Sequence, residues 1–510
     1  MSSNNIDSNT THQGTIRTKL NRRKFIKQTA IVSAGALAGV YGLKSFTDKF
    51  ELPDWTGKKY PGVILMNFNL FDGINNKIQK GLKILIEGDK IIDIVKEGEI
   101  KAYKNFKEVD LKGHVLMPGL IDNHVHITVP FMYSINLNSI QQMDKQILLN
   151  FRNCVMNGVT TVRDVGGFPG KINKYGNLSE QNKIPGPRVI SSLSPIAARE
   201  GDNLGAPEKA PYFTNPVIKW ILGGNYAERP TNIKEIERAT EEMLGLGARW
   251  IKTLNQEHTI AAKGRPLPNH TDNEFKKILE IGRAHGIKSA LHAPLLSGFM
   301  KGVDLGYNTQ EHMVLDKLIP EKYIEKFNQN GMAVMPTMMI YGDEFKVDEL
   351  LTLISEKGNQ YVTPEAIRQM LKRLEKSKAN TNAIPSWDSE YMKLQFPVVT
   401  RNLQRFYKMG AVIGAGSDIG GTMSGFFGRF TDELEHYIQS GISNFDALRM
   451  ATSVNAQIID MQDNIGTVKK GLFADLIAVE GNPLNDIKAL KKVKMVMKGG
   501  VFIKYDKLIS

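Results

Sequence analysis

The sequence predicts an α/β protein: a (β/α)8 TIM-like barrel with a small β-sandwich domain assembled from the N- and C-terminal segments. Three observations carry that expectation. The 510 residues exceed one ordinary core but suit a barrel of about 250 to 400 residues plus a smaller domain. Between Pro118 and Met461, eight short apolar runs alternate with amphipathic stretches, the pattern of parallel βα units. Both chain ends consist of short apolar runs between Gly, Asn and Asp breakers, which is strand and hairpin chemistry.

Taken in order, residues 1–38 are basic. They carry Arg17, Lys19, Arg22, Arg23, Lys24 and Lys27 against Asp7, so +5 of the formal net charge of +13 sits there and +8 on the rest. The pair Arg22 and Arg23, in NRRKFIK, precedes an uncharged run from Gln28 to Leu43 that is rich in Ala and Gly and contains the small-x-small site Ala36-Leu37-Ala38. This resembles a twin-arginine export signal, with Asn21 where Ser or Thr usually precedes the pair. The run falls short of the roughly 20 strongly apolar residues of a membrane span. The expectation is recognition by the twin-arginine export machinery and an exported, periplasmic or extracytoplasmic protein, with retention by an uncleaved signal anchor as the variant. Residues 39–61 read as a linker. Basic residues in the body are scattered and no recognition motif accompanies them, so nucleic acid is not an expected partner. The single cysteine, Cys154, excludes an intramolecular disulfide framework and leaves nitrogen and oxygen as the donors for any metal.

Residues 62–117 and 462–510 form the expected sandwich. VILMNFNLFDG, LKILIEGDKIIDIV and VDLKGHVLM supply strands at one end, ADLIAVEGNPL and VKMVMKGGVFIK at the other, and neither half closes a core alone. Residues 118–461 form the expected barrel. Its strand runs are Gly119 to His126, Thr160 to Asp164, Arg188 to Ser192, Arg249 to Lys252, Ser289 to His292, Asn308 to His312, Ala333 to Pro336 and Val412 to Asp418. Helical stretches such as EIERATEEMLGLG and NEFKKILEIGRAHG fill the gaps and end at glycine. In the longest gap, between runs seven and eight, TPEAIRQMLKRLEKSKA and VVTRNLQRFYKMG supply at least two helices.

In such a barrel, chemistry sits at the C-terminal ends of the strands. The polar residues there are His124 and His126 after the first run, Lys252 ending the fourth, His292 ending the fifth, His312 after the sixth and Asp418 after the eighth. Residues two apart in a strand share a face, so His124 and His126 point to one place. A lone histidine at a strand end is ordinarily structural. Six such groups on one rim read as a metal site.

At this point a family resemblance emerges. PGLIDNHVH, GVTTVRDVGG, GARWIKT, HGIKSALHA, Glu311-His312, Gly416-Ser417-Asp418 and GTVKKGLFADLIAVEGNPL resemble the amidohydrolase superfamily of metal-dependent hydrolases, in the branch of imidazolonepropionase and of dipeptidases acting on Xaa-Pro substrates. The resemblance implies that His124, His126, Lys252, His292, His312 and Asp418 hold two divalent metal ions, with zinc as the expected metal. Desolvation beside cations would drive the Lys252 amine neutral, and a neutral amine takes up carbon dioxide to give a bridging carbamate. The implied reaction is hydrolysis of a C–N bond in an amide, cyclic amide or dipeptide-like small molecule by metal-bound hydroxide, with Asp418 as general base and acid.

Substrate contacts are less legible. Arg199 and Tyr341 are candidates for clamping a carboxylate, and His258 and His270 lie in the loop after the fourth run. Deaminases of the superfamily carry a glutamate where Leu295 stands, which disfavours deamination. Alternatives are a lactone, ester or phosphotriester hydrolase on the same site, and a non-catalytic binding protein on the same scaffold. A homo-oligomer is open.

Overall fold

The computed structural model of the protein describes residues 57–505, apart from 100–104, 130–136, 199–218, 221, 256–268, 344, 379–388 and 421–425. The expected export signal, most of the linker, Arg199 and His258 lie outside the described residues. Among those residues no helix is long and apolar enough to cross a membrane.

The N-terminal apolar runs form β1 (Lys58–Lys59), β2 (Gly62–Met66), β3 (Asn69–Leu70), β4 (Leu82–Glu87), β5 (Lys90–Lys96), β6 (Phe106–Asp110) and β7 (Val115–Pro118). The eight central runs form β8 (Leu120–Val125), β9 (Val159–Asp164), β10 (Arg188–Ser191), β11 (Trp250–Leu254), β12 (Lys288–His292), β13 (Thr309–Glu311), β14 (Ala333–Met335) and β15 (Val412–Ile413). The chain closes with β16 (Leu476–Val479), β17 (Val493–Lys498) and β18 (Val501–Tyr505).

Both ends enter one sheet. Its order is β1-β18-β17-β16-β7-β3, and a second sheet, β5-β4-β2-β6, faces it. Val63, Leu65, Ile84, Ile86 and Val109 of the second sheet pack in one core with Leu116, Leu476, Met495, Met497 and Phe502 of the first. This is the alternation of apolar residues seen in the sequence, turned inward. Lys58 and Lys59, read from sequence as linker, already pair with Phe502 and Val501.

The central strands are all parallel, in a three-stranded sheet β10-β9-β8 and a five-stranded sheet β11-β12-β13-β14-β15. Isolated parallel bridges, Val125 with Ile419 and Ile196 with Thr253, link the edges of the two sheets. Ile121 and Ile190 of one sheet pack with Trp250, Ala290, Ala333 and Met335 of the other, around Ala456 and Ile458. The helices Ile233–Gly245 and Asp272–Ala284 precede β11 and β12, each started by a side-chain cap, Asn232 and Thr271 respectively. Between β14 and β15 stand the helices Met338–Asp343, Val347–Tyr361, Pro364–Lys378 and Ser389–Lys408.

The eighth run is shorter as a strand than its sequence suggests, and the reason is chemical. Ala415 N donates to the Asn455 side chain, Asn455 Nδ2 donates to Ile121 O and Ala415 O, and Ser417 N donates to Asp122. Side chains thus share the pairing from Ala415 onward with backbone bonds from Asn123 N to Ala415 O, Asp418 N to His124 O and His126 N to Ile419 O, where the backbone turns toward Asp418. The sixth run ends a residue early because His312 takes a left-handed φ of 72°.

Candidate metal centre

Because the central strands are parallel and in register, their C-terminal ends collect on one side. Leu254 pairs with His292, His292 with Glu311, and Glu311 with Met335. Here the structure brings together the six residues singled out in the sequence. Donor atoms of His124, His312 and Asp418 all lie within 4.8 Å of one another. His126 Nε2 is 3.1 Å and His124 Nε2 is 3.5 Å from Asp418 Oδ1. The His292 and His312 rings meet edge-on with centroids 4.4 Å apart.

Lys252 completes the group. It is 2% exposed, and its buried Nζ has no hydrogen-bond partner among the described residues. Burial lowers its pKa to about 8, against the opposing pull of the Glu311 and Asp418 carboxylates. Its charge is felt at His124, His292 and His312, and each of these imidazoles is held well below the ordinary histidine range, chiefly by burial. Neutral imidazoles are the form that ligates metal. His126 differs: burial lowers it, but the Asp418 and Asp164 carboxylates hold it up overall.

Three of the four rings are held from behind. His124 Nδ1 lies 2.6 Å from Glu311 Oε2, His126 Nδ1 lies 2.7 Å from Gly166 O, and His312 Nδ1 lies 2.8 Å from Thr337 Oγ1. His312, Thr337 and Asp418 have φ values of 72°, 50° and 56°. A left-handed backbone at three non-glycine residues of one rim is costly and typical of functional sites. Two further carboxylates shape the loops: Asp122 accepts from Ser417 Oγ at 2.5 Å, and Asp164 accepts from Ile127 N at 2.8 Å. Burial raises both to about 7.

Of the substrate candidates, Tyr341 and His270 lie among the described residues. Tyr341 is 0% exposed, and its hydroxyl donates to Met313 O at 3.0 Å within the wall of the site, an orientation that satisfies a backbone carbonyl. His270 is buried edge-on against Phe275, and its Nε2 has no hydrogen-bond partner among the described residues. Tyr226, which sequence reading did not single out, places its hydroxyl 3.3 Å from His126 Nδ1. Glu311, Arg163, Asp122 and Thr337 were likewise given no role. The available signal was a charged residue inside a strand run, as in VTTVRD.

Parallel strands that gather imidazoles, a lysine and a carboxylate on one rim define a metal-dependent hydrolase. The chain belongs to the amidohydrolase family, whose family model matches residues 115–503. It is 27% identical to an ochratoxinase from Aspergillus niger over 443 residues, which cover 82% of each chain. The crystal structure of a Xaa-Pro dipeptidase with bound methionine in its active site shares the fold, with a TM-score of 0.67 at 23% identity, over 87% of this chain and 100% of that one. The crystal structure of A. niger ochratoxinase gives 0.66 at 20% identity, over 88% and 97%. The protein is a hydrolase acting on carbon–nitrogen bonds.

Proposed function

We propose that this chain is a binuclear metal-dependent hydrolase of amide, cyclic-amide or dipeptide-like bonds. The reading takes residues 118–461 as one closed (β/α)8 barrel, whose seams are the two isolated bridges, and residues 62–117 with 462–510 as the sandwich domain. The observation that carries it is the Lys252 amine, buried beside three neutral imidazoles with no hydrogen-bond partner among the described residues. A buried polar group left unpaired is expensive, so such a group points to a partner supplied from outside the chain.

The residues fit a pair of divalent ions, zinc above all. His124, His126, His292, His312 and Asp418 would hold them, and Lys252 would bridge them as its carbamate, formed when the neutral amine adds to carbon dioxide and releases a proton. Bound there, the ions would acidify water and polarise the scissile carbonyl. The rest is the work of the chain. Asp418, whose backbone N–H is fixed 2.7 Å from His124 O, takes the proton of the attacking water and passes it to the leaving nitrogen. Glu311, Gly166 and Thr337 hold the histidine rings. The buried walls keep bulk water from the reacting carbonyl.

Substrate class follows the names of the relatives as a proposal only: an ochratoxinase and a Xaa-Pro dipeptidase suggest an amide whose acyl or amine part carries a carboxylate. Metal analysis of the purified protein should give two divalent ions per chain. A panel of Xaa-Pro dipeptides, N-acyl amino acids, hydantoins, lactones and phosphotriesters should show turnover concentrated in the amides. Metal-free active protein, or turnover confined to lactones and phosphotriesters, would sink this reading.

The export reading is a proposal on the motif NRRKFIK alone. Changing both Arg22 and Arg23 to Lys should trap the chain in the cytoplasm with residues 1–38 attached, as fractionation and mass spectrometry would show. Undiminished export of that variant would refute the twin-arginine assignment.

A further inference from the structure

An ion pair enclosed by the parallel strands ends on one of the candidate ligands. Arg163 of β9 and Glu311 of β13 are both 0% exposed, and Nη2 lies 2.7 Å from Oε1. The guanidinium is held on every side. Nε donates to Asn123 O at 2.7 Å, Nη1 donates to Thr309 Oγ1 at 3.2 Å, and Cζ stands 4.5 Å from the centre of the Trp250 ring. Thr309 Oγ1 donates to Glu311 Oε1 at 2.6 Å. Oε1 is thereby committed to these two donors. Oε2 faces His124 Nδ1 at 2.6 Å.

Stability does not explain such a pair. Two charges this deep lose their hydration, and well-packed apolar side chains in their place are commonly as stable or more so. What the pair does deliver is an anion at one atom of one ring. His126, two residues on, makes the contrast, because the groups at its Nδ1 are neutral: the Gly166 carbonyl at 2.7 Å and the Tyr226 hydroxyl at 3.3 Å. The Cβ of His124 is also boxed in: a Cβ on Gly416 would come within 2.6 Å of it. Ring and strand therefore leave His124 a single orientation, with Nε2 turned to Asp418.

We infer that Glu311, held by Arg163, is a positioning residue that keeps the His124 proton on Nδ1 and presents its Nε2 lone pair to a divalent cation. The inference rests on the metal-centre reading given above. An anionic partner behind a ligating imidazole fixes its tautomer and raises its basicity, and removal of such partners typically costs 10- to 100-fold in metal affinity.

The test is a Zn²⁺ titration of the chelator-stripped full chain against a fluorescent zinc chelator, together with the visible spectrum of the Co²⁺-loaded protein. Glu311→Gln should weaken Zn²⁺ binding by about 10- to 100-fold. That variant leaves Arg163 buried without its counter-charge and is liable to misfold, so the double variant Arg163→Met with Glu311→Met, which removes both charges, decides. It should melt at or above the wild-type temperature without metal, yet show the same loss of Zn²⁺ affinity and a shifted Co²⁺ band. Wild-type Zn²⁺ affinity in the double variant overturns the inference. So does a loss of affinity matched by an equal fall in metal-free melting temperature, which would make the pair structural. If the wild-type chain binds neither Zn²⁺ nor Co²⁺, the metal-centre reading itself fails, a result read before any variant is made.

Discussion

Lys252→Ala should lower bound metal from two ions to one or none and reduce turnover to background, because two cations would lose the anion they share. Short carboxylic acids added to that variant should restore part of both, by filling the vacated space with a carboxylate. Wild-type protein stripped of metal should recover faster with Zn²⁺ plus bicarbonate than with Zn²⁺ alone. A lysine with a purely structural role predicts a different outcome. The Nζ makes no hydrogen bond among the described residues, so its deletion should cost the metal-free protein little beyond a small cavity. Full metal content and full turnover in Lys252→Ala would remove the bridge and leave a mononuclear centre of the histidines and Asp418.

Asp418→Asn should lower turnover by about two to four orders of magnitude while much of the metal stays bound. Asparagine keeps the shape and one oxygen donor, and it tolerates the left-handed backbone, φ 56°, that this position demands. What it lacks is the capacity to take and return a proton. Metal content measured beside kcat separates the two roles, since a residue that only ligates would lose ions and rate together. Near wild-type turnover would move the proton transfer to another group.

Much of this was readable before any coordinates. All eight central runs are strands, because fully buried parallel strands are written as unbroken apolar stretches between helices with clear caps and glycine stops. The six rim residues were found because polar side chains stand out at or near the ends of such stretches, although Lys252 lies two residues inside the end of β11. Illegible parts have a common cause: long-range pairing. Nothing local in VTTVRD tells Arg163 that it will meet Glu311 from four strands away in sequence order. Nothing local in NFDALRMATSVNAQ says that the Asn455 side chain will bridge Ile121 and Ala415. Tyr341 reads as a substrate contact by position alone, and only the fold reveals that its hydroxyl serves Met313 O.

The sheet shared by the chain ends bears on how the protein is made. β7 runs through Gly119 directly into β8, the strand that carries His124, and β7 is paired on its length with β16: Val115 to Val479, Met117 to Ile477, Pro118 to Leu476. A growing chain reaches β7 early and its partner only near the end of synthesis. Until the ribosome has delivered residue 479, the strand bearing the first histidines lacks its anchor, and contacts of such sequence separation form late. Incomplete chains would thus carry β7 without its β16 partner, so the last strands to be made are tied in folding to the segment that leads into His124.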